Sequence, residues 1–431
     1  MPSFDISGDE ALVAESFRWP DEAGATRGFA ATVFNLASTT LGAGVLTTGY
    51  LFRQAGWLTA GVLVFVGAAA AYTAKLIPRC LEQSARLLPE CERSGQPLDW
   101  PVIGQAAMGP AGAVLVRVVQ LGELLGVMLS FLVFQGGILS TFIPLSKLAL
   151  TAISGSLVAL MLLMPPQYLS YFSFLGILGI FAMEGGVVAS GVSLPELPDA
   201  SHRKACDFAA LPEVASITLF LYIAHAELPS IFLPMARKRR WPRASELAFA
   251  ICALIYLSTG ALSYVFYADA VREDLTENVG HDLELRPLPG AAWLQALTSI
   301  LFAAKLQVTF PLFTPPLIDM CEACLGFTPQ TRKSARMLVK VAFAAACTVA
   351  AVLLQSWGGL TTAMNFTGYF FSTCTTLILP TAFYLKLTGC QLHWSRVLMC
   401  IVIGLAGVAI MISGVVTTIS HAVSSSSGGN R

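Results

Sequence analysis

The chain has 431 residues, 55% of them hydrophobic and only 12% charged, with a mean hydropathy of +0.69. Soluble domains carry roughly 25% charge, so these values exclude a soluble globular protein and point to a polytopic membrane protein. The 26 basic residues equal the 26 acidic ones, and no global charge calls for nucleic acid or an acidic partner.

The first 27 residues include Asp5, Asp9, Glu10, Glu15, Asp21 and Glu22, and lack a basic start, a short apolar core and a small-residue cleavage site. They read as a cytosolic tail rather than a secretory signal, with insertion expected to begin at the first membrane helix. That helix covers residues 28–54, GFAATVFNLASTTLGAGVLTTGYLFRQ. Its middle combines three hydroxyl residues, Ser38, Thr39 and Thr40, with Gly42 and Gly44. A glycine costs about 1 kcal/mol against alanine inside a helix, and backbone left unpaired in hydrocarbon costs several more. A break is therefore expected here, lining a cavity that holds an ion or a small polar solute.

At about 20 apolar residues per crossing, eleven spans are expected. The second covers 56–78 and ends at Pro78. A loop with Arg79, Arg86 and Arg93 leads to an interfacial segment, LDWPVIGQAAMG, then to spans three (111–139), four (147–164, closed by Pro165 and Pro166) and five (170–192). Span six, 213–236, contains His225, Glu227 and Pro229. A proline removes one backbone hydrogen bond, and two titratable groups beside it are costly in lipid, so a second broken helix is expected. The remaining spans fall at 246–267, 291–317, 335–355, 360–385 and 395–419. An acidic loop, 269–289, separates spans seven and eight. A serine- and glycine-rich tail from His421 is expected to be disordered.

Cysteines are scattered, and most fall in spans, where they act as small apolar residues. Only Cys321 and Cys324 form a CxxC, read as loop thiols on a reducing face rather than a metal site. Lysine and arginine concentrate in alternate short loops, at 79–93, 237–243, 332–336 and 386–396. By the positive-inside rule these are cytosolic, with Arg203 and Lys204 a mild exception. The amino terminus is then cytosolic and the carboxyl terminus extracytosolic.

The two broken spans stand five helices apart, so the two halves enter the membrane from opposite faces. The expected fold is all-α, with eleven transmembrane helices in a 5+5 inverted repeat and helices one and six broken. In domain terms this gives a tail at 1–27, a transporter domain at 28–419 and a short tail at 420–431. The repeats would cover 28–192 and 213–386, with an eleventh helix at 395–419. A half-helix starting near Gly44 offers amide hydrogens and a positive dipole end to a carboxylate. Carbonyls from Leu221 to Ala224 suit an ammonium group. Gly42, Ala43 and Gly44 let a ligand reach the main chain, and a small zwitterion, an amino acid, is the natural substrate class.

The phrases FNLASTTLGAGVL, DWPVIGQAAMG, QLGELLGVMLSFL, AHAELPSIFLPM and MNFTGYFFSTCTTLILPTAFYLKL, spread from span one to span ten, resemble the amino acid/auxin permease family. That family is similar in fold to the wider amino acid, polyamine and organocation transporters. The resemblance implies eleven spans, a cytosolic amino terminus and amino acid movement with sodium or protons, as a symporter, or by exchange. It also implies that Thr309, in VTFPLFTPP of span eight, completes a cation site with span-one carbonyls. Two positions depart from the family pattern. Ala224 stands where a glycine usually precedes the span-six histidine. Ser38 replaces the asparagine usual in the sodium-coupled branch.

Candidate substrate contacts are therefore Ser38, Thr39, Thr40, Gly42, Ala43, Gly44, Leu221 and Ala224, although a membrane hydroxyl more often bonds its own backbone. Candidate ion-coupling residues are Asn35, Ser38, Glu123, His225, Glu227, Lys305 and Thr309. Histidine titrates near physiological pH, which suits His225 to a proton. Lys305 is the lysine deepest in a span, and three roles are open to it: taking a cation's place, carrying a coupling proton, or pairing with a carboxylate, for which Glu123 is the expected partner in the fold's scaffold layer. Glu184 has no assigned role, and Asn365-Phe366-Thr367, buried in span ten, is discarded as a glycosylation acceptor.

No cofactor is expected beyond a coupling sodium ion or proton, and the partners are an amino acid and the lipid bilayer. A monomer is expected, in the plasma membrane or a vacuolar or lysosomal one. The alternatives are a sensor of the same fold, disfavoured by the short amino-terminal tail, and a facilitative exchanger. An intramembrane enzyme would need converging catalytic groups, and the span centres hold no aspartate.

Overall fold

A computed structural model describes residues 19, 26–88, 98–164, 166–328, 330–357, 364–389 and 392–428. Most of the expected amino-terminal tail lies outside these. The described residues form helices and two isolated bridges, with no strands. In chain order the helices are α1 (Phe29–Thr40), a 3-10 turn (Ala43–Thr47), α2 (Thr48–Ala55), α3 (Leu58–Leu87), α4 (Trp100–Met108), α5 (Pro110–Ser140), α6 (Lys147–Leu162) and α7 (Pro166–Val192). There follow α8 (Leu211–Leu221), a 3-10 turn (His225–Glu227), α9 (Leu228–Phe232), α10 (Trp241–Tyr267), α11 (Ala292–Phe313), α12 (Pro315–Cys324) and α13 (Lys333–Trp357). Two π-helical stretches, Thr367–Ser372 and Cys374–Ile378, lead into α14 (Leu379–Thr388), and α15 is Trp394–Gly428.

Among the described residues, eight helices are long and apolar enough to cross a membrane. Phe29–Thr40 and Ala43–Ala55 together make a ninth span, bent by 54°. Lys147–Leu162 and Leu178–Val192 are apolar but shorter.

The second span runs past its expected end, because Pro78 sits inside α3. Proline cannot donate to the carbonyl four residues back, and Trp241 Nε1 fills the gap by donating to Ala74 O at 3.0 Å. The thiols expected in a loop, Cys321 and Cys324, lie on α12. The tail expected to be disordered continues α15 as far as Gly428, because its serines weaken a helix without breaking it the way proline does.

The helices pack in two groups. α10 lies against α1, α2 and α3, whereas α5 contacts α6, α11 and α13, and α7 runs along α11. A backbone staple ties the start of α1 to the end of α9: Arg27 N donates to Pro234 O, and Ala236 N donates to Arg27 O, each at 3.0 Å. Trp19 packs edge-on against Phe232 there, with ring centroids 5.1 Å apart.

Candidate functional site

Both expected breaks are present. α1 stops at Thr40, and the chain restarts as a 3-10 turn at Ala43. The amides of Ala43 and Gly44 open that turn, so they have no carbonyl a turn back to bond. α8 stops at Leu221, and the chain resumes at His225. The two breaks border one cavity of about 10 Å³, room for a single water. This conformation is closed, and a larger solute needs the helices to part.

Thr39, Thr40, Gly42, Ala43 and Gly44 line one side of the cavity, with Phe220, Leu221 and Ile223 on the other. Val127 and Phe131 of α5 and Phe313 of α11 complete the wall. Phe131 and Phe313 meet edge to face, with centroids 6.0 Å apart. Ser38, Asn35 and Ala224 are outside this lining. Ser38 and Asn35 are half-buried on α1, and Ala224 O accepts from Glu227 N at 3.0 Å.

The breaks are pinned by side chains from four other elements. Tyr256, fully buried on α10, places its hydroxyl 2.7 Å from both Thr40 O and Leu221 O. A phenol has one hydrogen to give, so one donor joins the last turns of two half-helices. Lys305 of α11, 1% exposed, donates to Leu41 O just past the end of α1. That carbonyl lies at the negative end of a helix dipole, which favours a cation there. Trp100 Nε1 donates to His225 O at 2.6 Å, and Gln120 Nε2 donates to Ala226 O at 3.1 Å.

His225 is fully buried, with Nε2 3.0 Å from Thr73 Oγ1 and 3.2 Å from Ala70 O. Ala70 O can only accept, so Nε2 carries the hydrogen and Nδ1 faces no partner. The imidazole thus anchors the break to α3. Thr40 Oγ1 donates to Leu36 O at 2.9 Å, and Thr309 Oγ1 donates to Lys305 O at 2.7 Å. Both hydroxyls are satisfied by the backbone four residues earlier.

The expected pairing of Lys305 with Glu123 is not formed. Glu123 accepts from Thr375 Oγ1 at 2.6 Å, while the ammonium of Lys305 goes to α1. A helix-end carbonyl within reach of the lysine satisfies it without a carboxylate. Glu184, left without a role, accepts from Thr259 of α10.

The aromatic wall and Tyr256 were not marked by the sequence reading. In a chain that is apolar throughout, phenylalanine gives no contrast. A mid-span tyrosine does carry a signal, because its buried hydroxyl requires a partner.

Bent apolar spans around a main-chain cavity make this a multi-pass integral membrane protein. The chain belongs to the transmembrane amino acid transporter family, also known as the amino acid/auxin permeases, whose profile matches residues 25–420. This is a family of transporters, not enzymes. The chain is similar to amino acid transporter AVT1J of Arabidopsis thaliana, 27% identical over 403 residues, covering 90% of this chain and 89% of the relative. Amino acid transporter AVT1D of the same plant is 23% identical over 411 residues, covering 91% and 70%. AVT1I is 22% identical over 411 residues, covering 91% and 96%.

Proposed function

We propose that the protein is a secondary transporter that carries amino acids by alternating access, coupled to an ion, with its substrate held between the two helix breaks. The observation that carries this reading is that two breaks far apart in sequence border one cavity. Family membership supports the substrate class.

In this reading the amides of Ala43 and Gly44 receive the carboxylate, with Thr39, Thr40 and Gly42 at its edge. The carbonyls of Leu221 and Ala224 receive the ammonium group, and Asn35 and Ser38 support α1. Counting α6 and α7 as spans gives eleven crossings, and the 5+5 repeat over 28–192 and 213–386 places the breaks at matching positions. The positive loops put the amino terminus in the cytosol.

Val127, Phe131, Phe220, Ile223 and Phe313 contribute no charge to the cavity wall, so the favoured substrates are neutral amino acids with apolar side chains. Lys305 places its ammonium against Leu41 O, a carbonyl of the kind a sodium ion would use, and Thr309 spends its hydroxyl on its own helix. Both features favour a proton over sodium as the coupling ion.

The test is uptake into liposomes containing the purified protein. Labelled leucine is expected to accumulate saturably, to be displaced by phenylalanine and valine, and to be unaffected by arginine or aspartate. Absence of uptake or exchange for every common amino acid would overturn the reading, and competition by the charged ones would overturn its substrate preference.

A further inference from the structure

A second cluster of polar groups lies beside the α8–α9 break, away from the cavity wall. Glu123 of α5 is 1% exposed, with Oε1 held by Thr375 and Oε2 without a partner. Glu227, half-buried at the end of the 3-10 turn, has Oε2 3.2 Å from Ser230 Oγ and Oε1 without a partner. The two carboxylates are placed together where α5 packs against the His225–Glu227 turn, and Asp99 lies nearby at the foot of α4. Gln120, one turn before Glu123, connects the group by donating to Ala226 O and lying against the Asp99 carboxylate.

Beside these acids, the fully buried hydroxyl of Ser372 lies against the Glu123 carboxylate. Ser372 and Thr375 belong to the π-helical stretches. π-helical turns are rare and concentrate at functional sites, and here Thr375, on one of them, donates to Glu123. The site therefore gathers two carboxylates, Glu123 and Glu227, with the hydroxyls of Thr375, Ser372 and Ser230.

Several charged groups on neighbouring elements are engaged elsewhere, Arg79 of α3 with the Tyr384 hydroxyl at 3.2 Å among them. Lys305 of α11 goes to Leu41 O, Lys340 of α13 to Leu162 O and Arg336 to Glu322. His225 is bound to α3, Lys147 of α6 is exposed, and Cys374 is the thiol beside Glu123. Arg117 lies on α5 itself, six positions before Glu123, and has interactions of its own.

Like charges drawn into one low-dielectric site favour a shared proton over two free carboxylates. We infer that Asp99, Glu227 and Glu123 form a proton relay, with Glu123 and Glu227 sharing the coupling proton and Asp99 exchanging it with the cytosolic water. Access falls toward Glu123: Asp99 and Glu227 are both half-buried and Glu123 is sealed. Asp99 sits outside the spans, and its removal from water pushes its carboxyl up to about 6, where it can exchange protons near neutral pH. The relay rests on the transporter reading above and specifies which groups carry its ion.

The experiment compares two measurements on liposomes, using a radiolabelled mixture of the twenty common amino acids. One is exchange of external label for internal unlabelled amino acids without a pH gradient. The other is accumulation driven by an imposed pH gradient, with proton movement followed by a trapped pH dye. In Glu123→Gln, gradient-driven accumulation is expected to fall tenfold or more and proton movement to vanish, while exchange continues. Glu227→Gln is expected to behave in the same way, and Glu123→Asp to restore part of the accumulation. Normal gradient-driven accumulation by Glu123→Gln would overturn the relay. So would loss of exchange and accumulation together in both Gln variants without rescue by Glu123→Asp, because that marks a structural role. If the wild-type protein exchanges amino acids but ignores the pH gradient, the relay fails and the transporter reading stands. If the wild-type protein does not exchange at all, both fail.

Discussion

Uptake by a Gly44→Ala variant is expected to fall tenfold or more, while Gly42→Ala, two residues earlier, keeps most of it. A Cβ at position 44 would sit 2.9 Å from Leu221 Cγ and 3.0 Å from its Cδ1, with the Leu221 Cα only 3.5 Å away. Leu221 is itself buried at the end of α8, its carbonyl held by Tyr256, and it has little freedom to yield. Overpacking of this kind costs about 1–3 kcal/mol. It would push the two breaks apart at the point where a ligand is to be gripped. At Gly42 the nearest atoms are the ring carbons of Phe131 at 3.5 and 3.6 Å, an ordinary contact. Initial rates of leucine uptake in liposomes, normalised to inserted protein, measure the difference. Equal loss in the two variants would mean that the close approach of the Ala43–Thr47 turn to α8 is not what the site depends on.

The second large effect is expected at Lys305. Lys305→Met keeps most of the side-chain volume but removes the donor to Leu41 O. A buried carbonyl left without its partner costs about 1–3 kcal/mol, and the end of α1 loses its tie to α11. Uptake is expected to fall at least tenfold, with the purified protein melting at a lower temperature. The same contact predicts that wild-type uptake is indifferent to replacement of sodium by choline. A collapse of wild-type uptake in choline, or full activity in Lys305→Met, would show that the ammonium does not take the place assigned to it.

The two breaks were legible because glycine, clustered hydroxyls and a mid-span proline conflict with a continuous helix in hydrocarbon. The chain leaves the helix at Leu41–Gly42, inside the Ser38–Gly44 stretch, and at Tyr222–Ala224, just before the His225–Pro229 stretch. Span ends were less legible, since they depend on partners distant in sequence. Pro78 looks like a stop until Trp241 supplies the hydrogen bond that proline cannot. The pairing of Lys305 with Glu123 was misread for a related reason. Side-chain types suggested an ion pair, while main-chain carbonyls at helix ends, which carry no residue signature, proved the nearer acceptor for the lysine. The π-helical turns of span ten leave no trace in composition. Thr367–Ile378 packs between α5, α8 and α15, contacts that only the folded chain displays. The apolar wall of the cavity was invisible because every face of such a chain is apolar.

The most direct measurement is an electron cryo-microscopy map of the protein in lipid nanodiscs with a saturating concentration of an amino acid that it takes up. Density for the amino acid is predicted between the Ala43–Gly44 amides and the Leu221–Ala224 carbonyls, with Phe131 and Phe313 moved apart to admit the side chain. Density at another place, or a map in which either break has closed into continuous helix around the bound ligand, would contradict the account.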